Sequence, residues 1–136
     1  MYKLTLRGEF ASAHWLDGYQ GACASLHGHT WKLAIVLQSP QVRGLGMVVD
    51  FKDMKRVMGH VLAKYDHQCL NDVIEEGVNP TAENLSRILY KEFEEAFQQW
   101  SKDGLISLKE VTIWESDYAS CTYTEEEPVH VDKASA

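Results

Sequence analysis

The chain has 136 residues, 45% of them apolar and 24% charged, and a net charge of −7. This length carries one domain around a single core, and the composition excludes a disordered chain. The acidic balance excludes a sequence-independent grip on nucleic acid, which needs clustered Lys and Arg, and no apolar run approaches the roughly 20 residues of a membrane span. The first seven residues alternate in polarity and lack the apolar stretch of a secretory signal. Three cysteines, Cys23, Cys69 and Cys121, are odd in number and form no C-x-x-C pair. Reduced thiols in a cytoplasmic protein are the expectation.

Residues 2–7 place Tyr2, Leu4 and Leu6 on one side and Lys3, Thr5 and Arg7 on the other, the period of a half-buried strand. Residues 30–37 repeat the pattern with Trp31, Leu33, Ile35 and Leu37. A turn around Pro40 and Gly44 then leads to a short returning strand at 47–49. Asp50 is a good N-cap for a first helix, with Asp53 in its first turn and Phe51, Met54, Met58, Val61 and Tyr65 at helical spacing. A second helix starts near Pro80-Thr81 and carries Leu85, Leu89, Phe93, Phe97 and Trp100 until Gly104 ends it. Alternation returns at 107–115, and 121–124 forms a final edge. Strands, two one-sided helices, then strands predict an α+β fold: an antiparallel four-stranded sheet with two helices on one face. Residues 1–124 form the single domain, and 125–136 an acidic, frayed tail.

The segment Cys23-Ala24-Ser25-Leu26-His27-Gly28-His29 runs directly into a strand. Extended chain points residues two apart the same way, so His27 and His29 project together. His14 ends the preceding apolar segment, where antiparallel pairing brings its imidazole to the same place. Three neutral imidazoles make an open zinc site with one position left for water or substrate. Cys23 as a fourth ligand makes a closed, structural one, and spacing alone leaves both open, together with histidines that hold no metal.

In its order of motifs the sequence resembles the 6-pyruvoyl-tetrahydropterin synthase family over nearly its whole length. The carriers are Phe10-Ala11-Ser12-Ala13-His14, Cys23-x-x-x-His27-Gly28-His29, Asp50-Phe51, Asp66-His67-x-x-Leu70-Asn71, Asn79-Pro80-Thr81-x-Glu83-Asn84 and Trp114-Glu115-Ser116. The short Cys23–His27 gap is similar to the bacterial 6-carboxy-tetrahydropterin synthase branch of queuosine biosynthesis. Tyr65 and Cys69 depart from the residues usual at their positions.

The resemblance implies a tunnelling fold, a homohexamer with active sites between subunits, and zinc on His14, His27 and His29. Its substrate would be 7,8-dihydroneopterin triphosphate, converted to 6-carboxy-5,6,7,8-tetrahydropterin with release of acetaldehyde and triphosphate. It makes Cys23 the catalytic base and Asp66 with His67 a proton relay. Glu115 becomes the pterin anchor and a participant in proton relay; its parity with Val111 and Ile113 turns it inward. A pyruvoyl-tetrahydropterin product is the alternative within the family. Thr81 and Glu83 read as helix-start chemistry, His60 and His130 as surface residues, Cys69 and Cys121 as packing. Lys32 and Arg7 are candidates for the triphosphate.

Overall fold

The computed structural model describes residues 1–125. Two long strands, β1 (Tyr2–His14) and β2 (His27–Ser39), form the spine of the sheet. They pair antiparallel in one unbroken register from Tyr2↔Ser39 to His14↔His27. Helix α1 (Phe51–Leu62) follows, then a two-residue strand β3 (Gln68–Cys69), one helical turn α2 (Leu70–Val73) and helix α3 (Ala82–Ala96). Strands β4 (Ser107–Ser116) and β5 (Ala119–Tyr123) complete a sheet of order β3-β1-β2-β4-β5.

The expected α+β layering of a mostly antiparallel sheet and helices is present, with three differences. The sheet has five strands, because β3 pairs parallel to β1 at Ser12↔Gln68 and Ala13↔Cys69. Residues 47–49 form no strand: they sit beyond the ladder's end, and Val48 and Val49 bury their side chains without pairing. α3 stops at Ala96, and the apolar series continues into a 3-10 turn, Gln98–Trp100, with Phe97 stacked between Phe93 of α3 and Trp100 at 5.7 and 5.1 Å.

Local chemistry explains the helix starts. Asp50 caps α1, its carboxylate accepting from the Lys52 N–H, and Thr81 caps α3, its hydroxyl accepting from the Asn84 N–H. Met54, Met58 and Val61 of α1 and Leu85, Leu89 and Phe93 of α3 then enter one core with Leu6, Phe10, Trp31, Leu33, Ile35, Val111 and Ile113 of the sheet. The other sheet face exposes Lys3, Thr5, Arg7, Glu9 and Lys32. Tyr65, unusual at its position, is 3% exposed; its ring lies against Phe10 and its hydroxyl donates to Glu92. Glu125, expected to begin the tail, accepts from Lys91 Nζ at 2.9 Å; the remainder of the tail, His130 included, lies outside the described residues. Among the described residues no helix is long and apolar enough to cross a membrane.

Gly8 sets how closely α1 approaches the sheet. A Cβ there would meet Met58 Sδ at 2.5 Å inside the packed layer. Gly8→Val should therefore cost about 1–3 kcal/mol by overpacking, measured by urea unfolding. Adding Met58→Ala should recover part of that loss; two independent, additive losses would show that the contact does not control the approach.

Candidate active site

β1 ends and β2 begins at one corner of the sheet, so the cross-strand pairs His14↔His27 and Ser12↔His29 put three imidazoles on the helix-covered side. The ring centres lie 4.5 Å (His14–His27), 5.0 Å (His14–His29) and 4.8 Å (His27–His29) apart. Trp31 packs edge-on against His14 and His29 at 4.9 and 5.3 Å and stacks on Phe10, forming an aromatic floor. From β4, the Glu115 carboxylate joins the group: Oε1 lies 3.3 Å from His14 Nε2 and 3.3 Å from His29 Nε2. One donor atom from each of these four residues fits within 4.8 Å of the others.

Backbone carbonyls select the ring nitrogens offered to this cage. His14 Nδ1 lies 2.8 Å from the Pro80 oxygen, and His27 Nδ1 lies 2.7 Å from the Ser25 oxygen. A carbonyl only accepts, so Nδ1 carries the proton in each ring and Nε2 keeps its lone pair. Burial lowers the pKa of His14, the Pro80 bond opposing it only in part, and burial likewise lowers that of His29. Both rings are therefore neutral and cannot form ion pairs with Glu115, despite the 3.3 Å separations. His14 Nε2 and His29 Nε2 are buried and have no hydrogen-bond partner. Buried ring nitrogens without a hydrogen bond are unsatisfied, and the His14 lone pair and the carboxylate oxygen beside it repel. A divalent cation resolves all of these contacts at once, so the residues present fit one.

Two asparagines that the motifs contain, and to which sequence reasoning gave no role, clamp the chain just after His14. Asn71 accepts from the Trp15 N–H at 3.0 Å and donates to its carbonyl at 2.9 Å. Asn79 does the same for Asp17, at 2.9 and 3.0 Å. Each amide mimics a strand partner for a segment without one. With Pro80 holding His14 and Thr81 starting α3, the Asn79-Pro80-Thr81 run ties the helix to the histidine corner. The amide directly before Pro80 in the Asn79-Pro80-Thr81 run was the available signal.

Cys23 sits half-buried on the 3-10 turn Ala22–Ala24, its carbonyl accepting from the Leu16 N–H at 2.9 Å. Its sulfur is not among the four clustered donors. Asp66 and His67 belong to the loop between α1 and β3, which is zipped onto β1. Asp66 Oδ1 accepts from the Ala11 N–H at 2.9 Å, and the His67 N–H donates to the Ala11 carbonyl at 2.6 Å. Asp66 Oδ2 also lies 2.9 Å from His67 Nδ1. The Ser12 hydroxyl donates to the Tyr65 carbonyl just before them. His67 holds a left-handed backbone (φ 57) and its side chain is 82% exposed. It borders an open 560 Å³ groove lined by residues 11–13 of β1, by Gly28, His29 and Thr30 of β2, and by Gln68 and Cys69. The structure thus brings Glu115 to the three histidines and sets Asp66 and His67 at the β1 edge of the sheet.

Lys32 and Arg7 line the uncovered face, in a 450 Å³ hollow shared with Glu9 and Asp117. Lys32 pairs with Asp117 at 2.9 Å and Arg7 lies over the Trp114 ring. Thr81 caps a helix with Glu83 in its first turn, and His60 is exposed. Cys69 and Cys121 are half-buried free thiols, less enclosed than packing residues were expected to be.

A sheet backed by helices, with a histidine–carboxylate cage at one corner suited to a divalent cation, defines the class. The family model for 6-pyruvoyl tetrahydropterin synthase matches residues 3–126. The 6-carboxy-5,6,7,8-tetrahydropterin synthase of Haemophilus influenzae is 30% identical over 141 residues, covering 92% of this chain and 100% of the relative. The dihydroneopterin monophosphate aldolase of Pyrococcus furiosus is 28% identical over 115 residues, covering 85% and 90%. The solved structure of Caenorhabditis elegans 6-pyruvoyl tetrahydropterin synthase superposes with a TM-score of 0.79 at 24% identity, covering 92% and 96%, and shares the fold. The chain belongs to the 6-pyruvoyl tetrahydropterin synthase family, and it is a lyase.

The Ala11 N–H and the His67 ring hold the Asp66 carboxyl below its ordinary range. A depressed folded pKa gives stability that is present above the unfolded value of about 3.9 and lost as pH falls through the folded value. The stability lead of wild type over Asp66→Asn should therefore be constant from neutral pH to about pH 5 and shrink below about pH 4. Urea midpoints across that range test this; a lead that grows on acidification contradicts it.

Proposed function

We propose that the chain converts 7,8-dihydroneopterin triphosphate to 6-carboxy-5,6,7,8-tetrahydropterin, releasing acetaldehyde and triphosphate, as a step of queuosine biosynthesis. The carrying observation is the cage of three imidazoles with two orphaned Nε2 atoms, in a chain whose full-length relative bears that enzyme's name. His14, His27 and His29 would hold zinc. Three nitrogen ligands from histidine suit that ion, and a zinc so held supplies Lewis acidity toward oxygen-bearing carbons.

The remaining roles fall to the chain's own side chains. Cys23 is the base that takes a proton from the substrate side chain; its turn adjoins the strand that carries His27. Glu115 accepts from the pterin 2-amino group and ring N–H, a match of two adjacent donors to two carboxylate oxygens. His67, oriented by Asp66, relays protons. A ring that is 82% exposed, on an open groove at the β1 edge of the sheet, supports service to a neighbouring subunit. We therefore infer a homohexamer whose sites are built between chains.

The Pyrococcus relative supports a second reading, aldol-type cleavage of a dihydroneopterin phosphate, and the family model supports a third, elimination of triphosphate alone to a pyruvoyl product. Mass spectrometry of the products from the pterin triphosphate separates them. Acetaldehyde with a 6-carboxy pterin is the expected outcome. Cys23→Ala should keep its metal and lose at least about 100-fold in turnover, the scale of lost acid–base catalysis; loss of metal and fold together would instead make Cys23 a structural ligand. Mixed Cys23→Ala and His67→Ala chains should regain activity that neither variant has alone. Mixtures as inactive as their parts would place each site within one chain.

A further inference from the structure

Glu115 carries two demands on one carboxylate. The role proposed above turns it toward a pterin, yet its Oε1 stands 3.3 Å from two buried imidazole nitrogens that make no hydrogen bond. Among the described residues the carboxylate has no other partner. It is the sole oxygen, and the sole negative charge, in the four-donor cage, and three neutral nitrogens with one carboxylate are a sufficient donor set for a divalent cation.

The four members differ in how firmly they are held. His14 is 1% exposed and bonded to Pro80, and His27 is bonded to Ser25. Glu115 is 38% exposed. Its backbone is also the only one of the four without a strand partner in the register: Lys32↔Trp114 is the last pair with β2, and the β4–β5 register shifts between Trp114 and Ser116. A bulge at that position aims a side chain without fixing its strand.

We propose that Glu115 is a displaceable fourth metal ligand. In the substrate-free protein its Oε1 completes the cage. The pterin's paired N–H groups then draw the carboxylate off, which frees the coordination position for substrate oxygen. The exchange makes and breaks coordination only, and it opens the site when the ring is seated. This inference rests on the divalent-metal reading above.

Cobalt(II)-loaded full-length protein reports the exchange through its visible absorption, and competition with a chelator gives zinc affinity. Glu115→Ala should change the cobalt spectrum and weaken zinc binding by about 10–100-fold, at least the loss typical of a residue that only supports a ligand. A pterin with no 6-substituent, which offers ring N–H groups but no side-chain oxygens, should shift the wild-type spectrum and leave that of Glu115→Ala unchanged. Far-UV circular dichroism checks the variant's fold, and Glu115→Gln, which keeps the shape, serves if the alanine form is unfolded. A variant with wild-type spectrum and affinity would overturn the proposal while leaving the three-histidine centre standing. A wild-type spectrum that saturating pterin does not move would overturn the displacement. A wild-type protein that takes up no metal would overturn both this inference and the reading beneath it.

Discussion

Two buried imidazole nitrogens left without a hydrogen-bond partner constrain this molecule more than any packing contact does. A buried polar atom left unsatisfied costs about 1–3 kcal/mol, and His14 Nε2 and His29 Nε2 are both in that condition beside a carboxylate. The fold does not relieve the conflict by protonation, because burial holds both rings neutral. It reinforces it, by tying the opposite nitrogens of His14 and His27 to carbonyls. A site built this way is satisfied by a cation, and cation binding to the folded state alone adds to its stability.

The surrounding architecture serves to hold that corner still. The β1–β2 ladder fixes which residues face each other, and Trp31 beneath the rings leaves them no room to collapse inward. Asn71 and Asn79 stop the chain after His14 from fraying where the ladder ends. The same short stretch of β1 also anchors the Asp66–His67 loop, through Ala11 and Ser12. One strand end therefore positions both the imidazole cage and the Asp66–His67 loop.

Much of this was legible in residue order. Period-two alternation found β1, β2 and β4 because one face of each is buried and the other wet, and hydroxyl and carboxylate caps marked both long helices. The H-x-H spacing and the antiparallel partner strand were enough to bring the three imidazoles together, and parity turned Glu115 toward them. The contact between its carboxylate and the imidazoles depends instead on a bulge at Trp114–Ser116 that pairing rules do not forecast. The strand expected at 47–49 failed because a run of apolar residues signals burial but not a ladder partner. β3 was missed for the converse reason: two residues are too few to show a period, and their pairing is specified by Asp66 and His67 gripping Ala11 from a distance in sequence. The inter-subunit role proposed for His67 leaves no periodic trace at all.

The central claim is that three histidine nitrogens, without the Cys23 sulfur, hold a divalent ion in this fold. X-ray absorption at the zinc edge of metal-loaded protein tests it most directly. The account predicts a first shell of nitrogen and oxygen near 2.0–2.1 Å with the outer-shell scattering of about three imidazoles. A sulfur scatterer at about 2.3 Å, or a shell lacking imidazole, would contradict it.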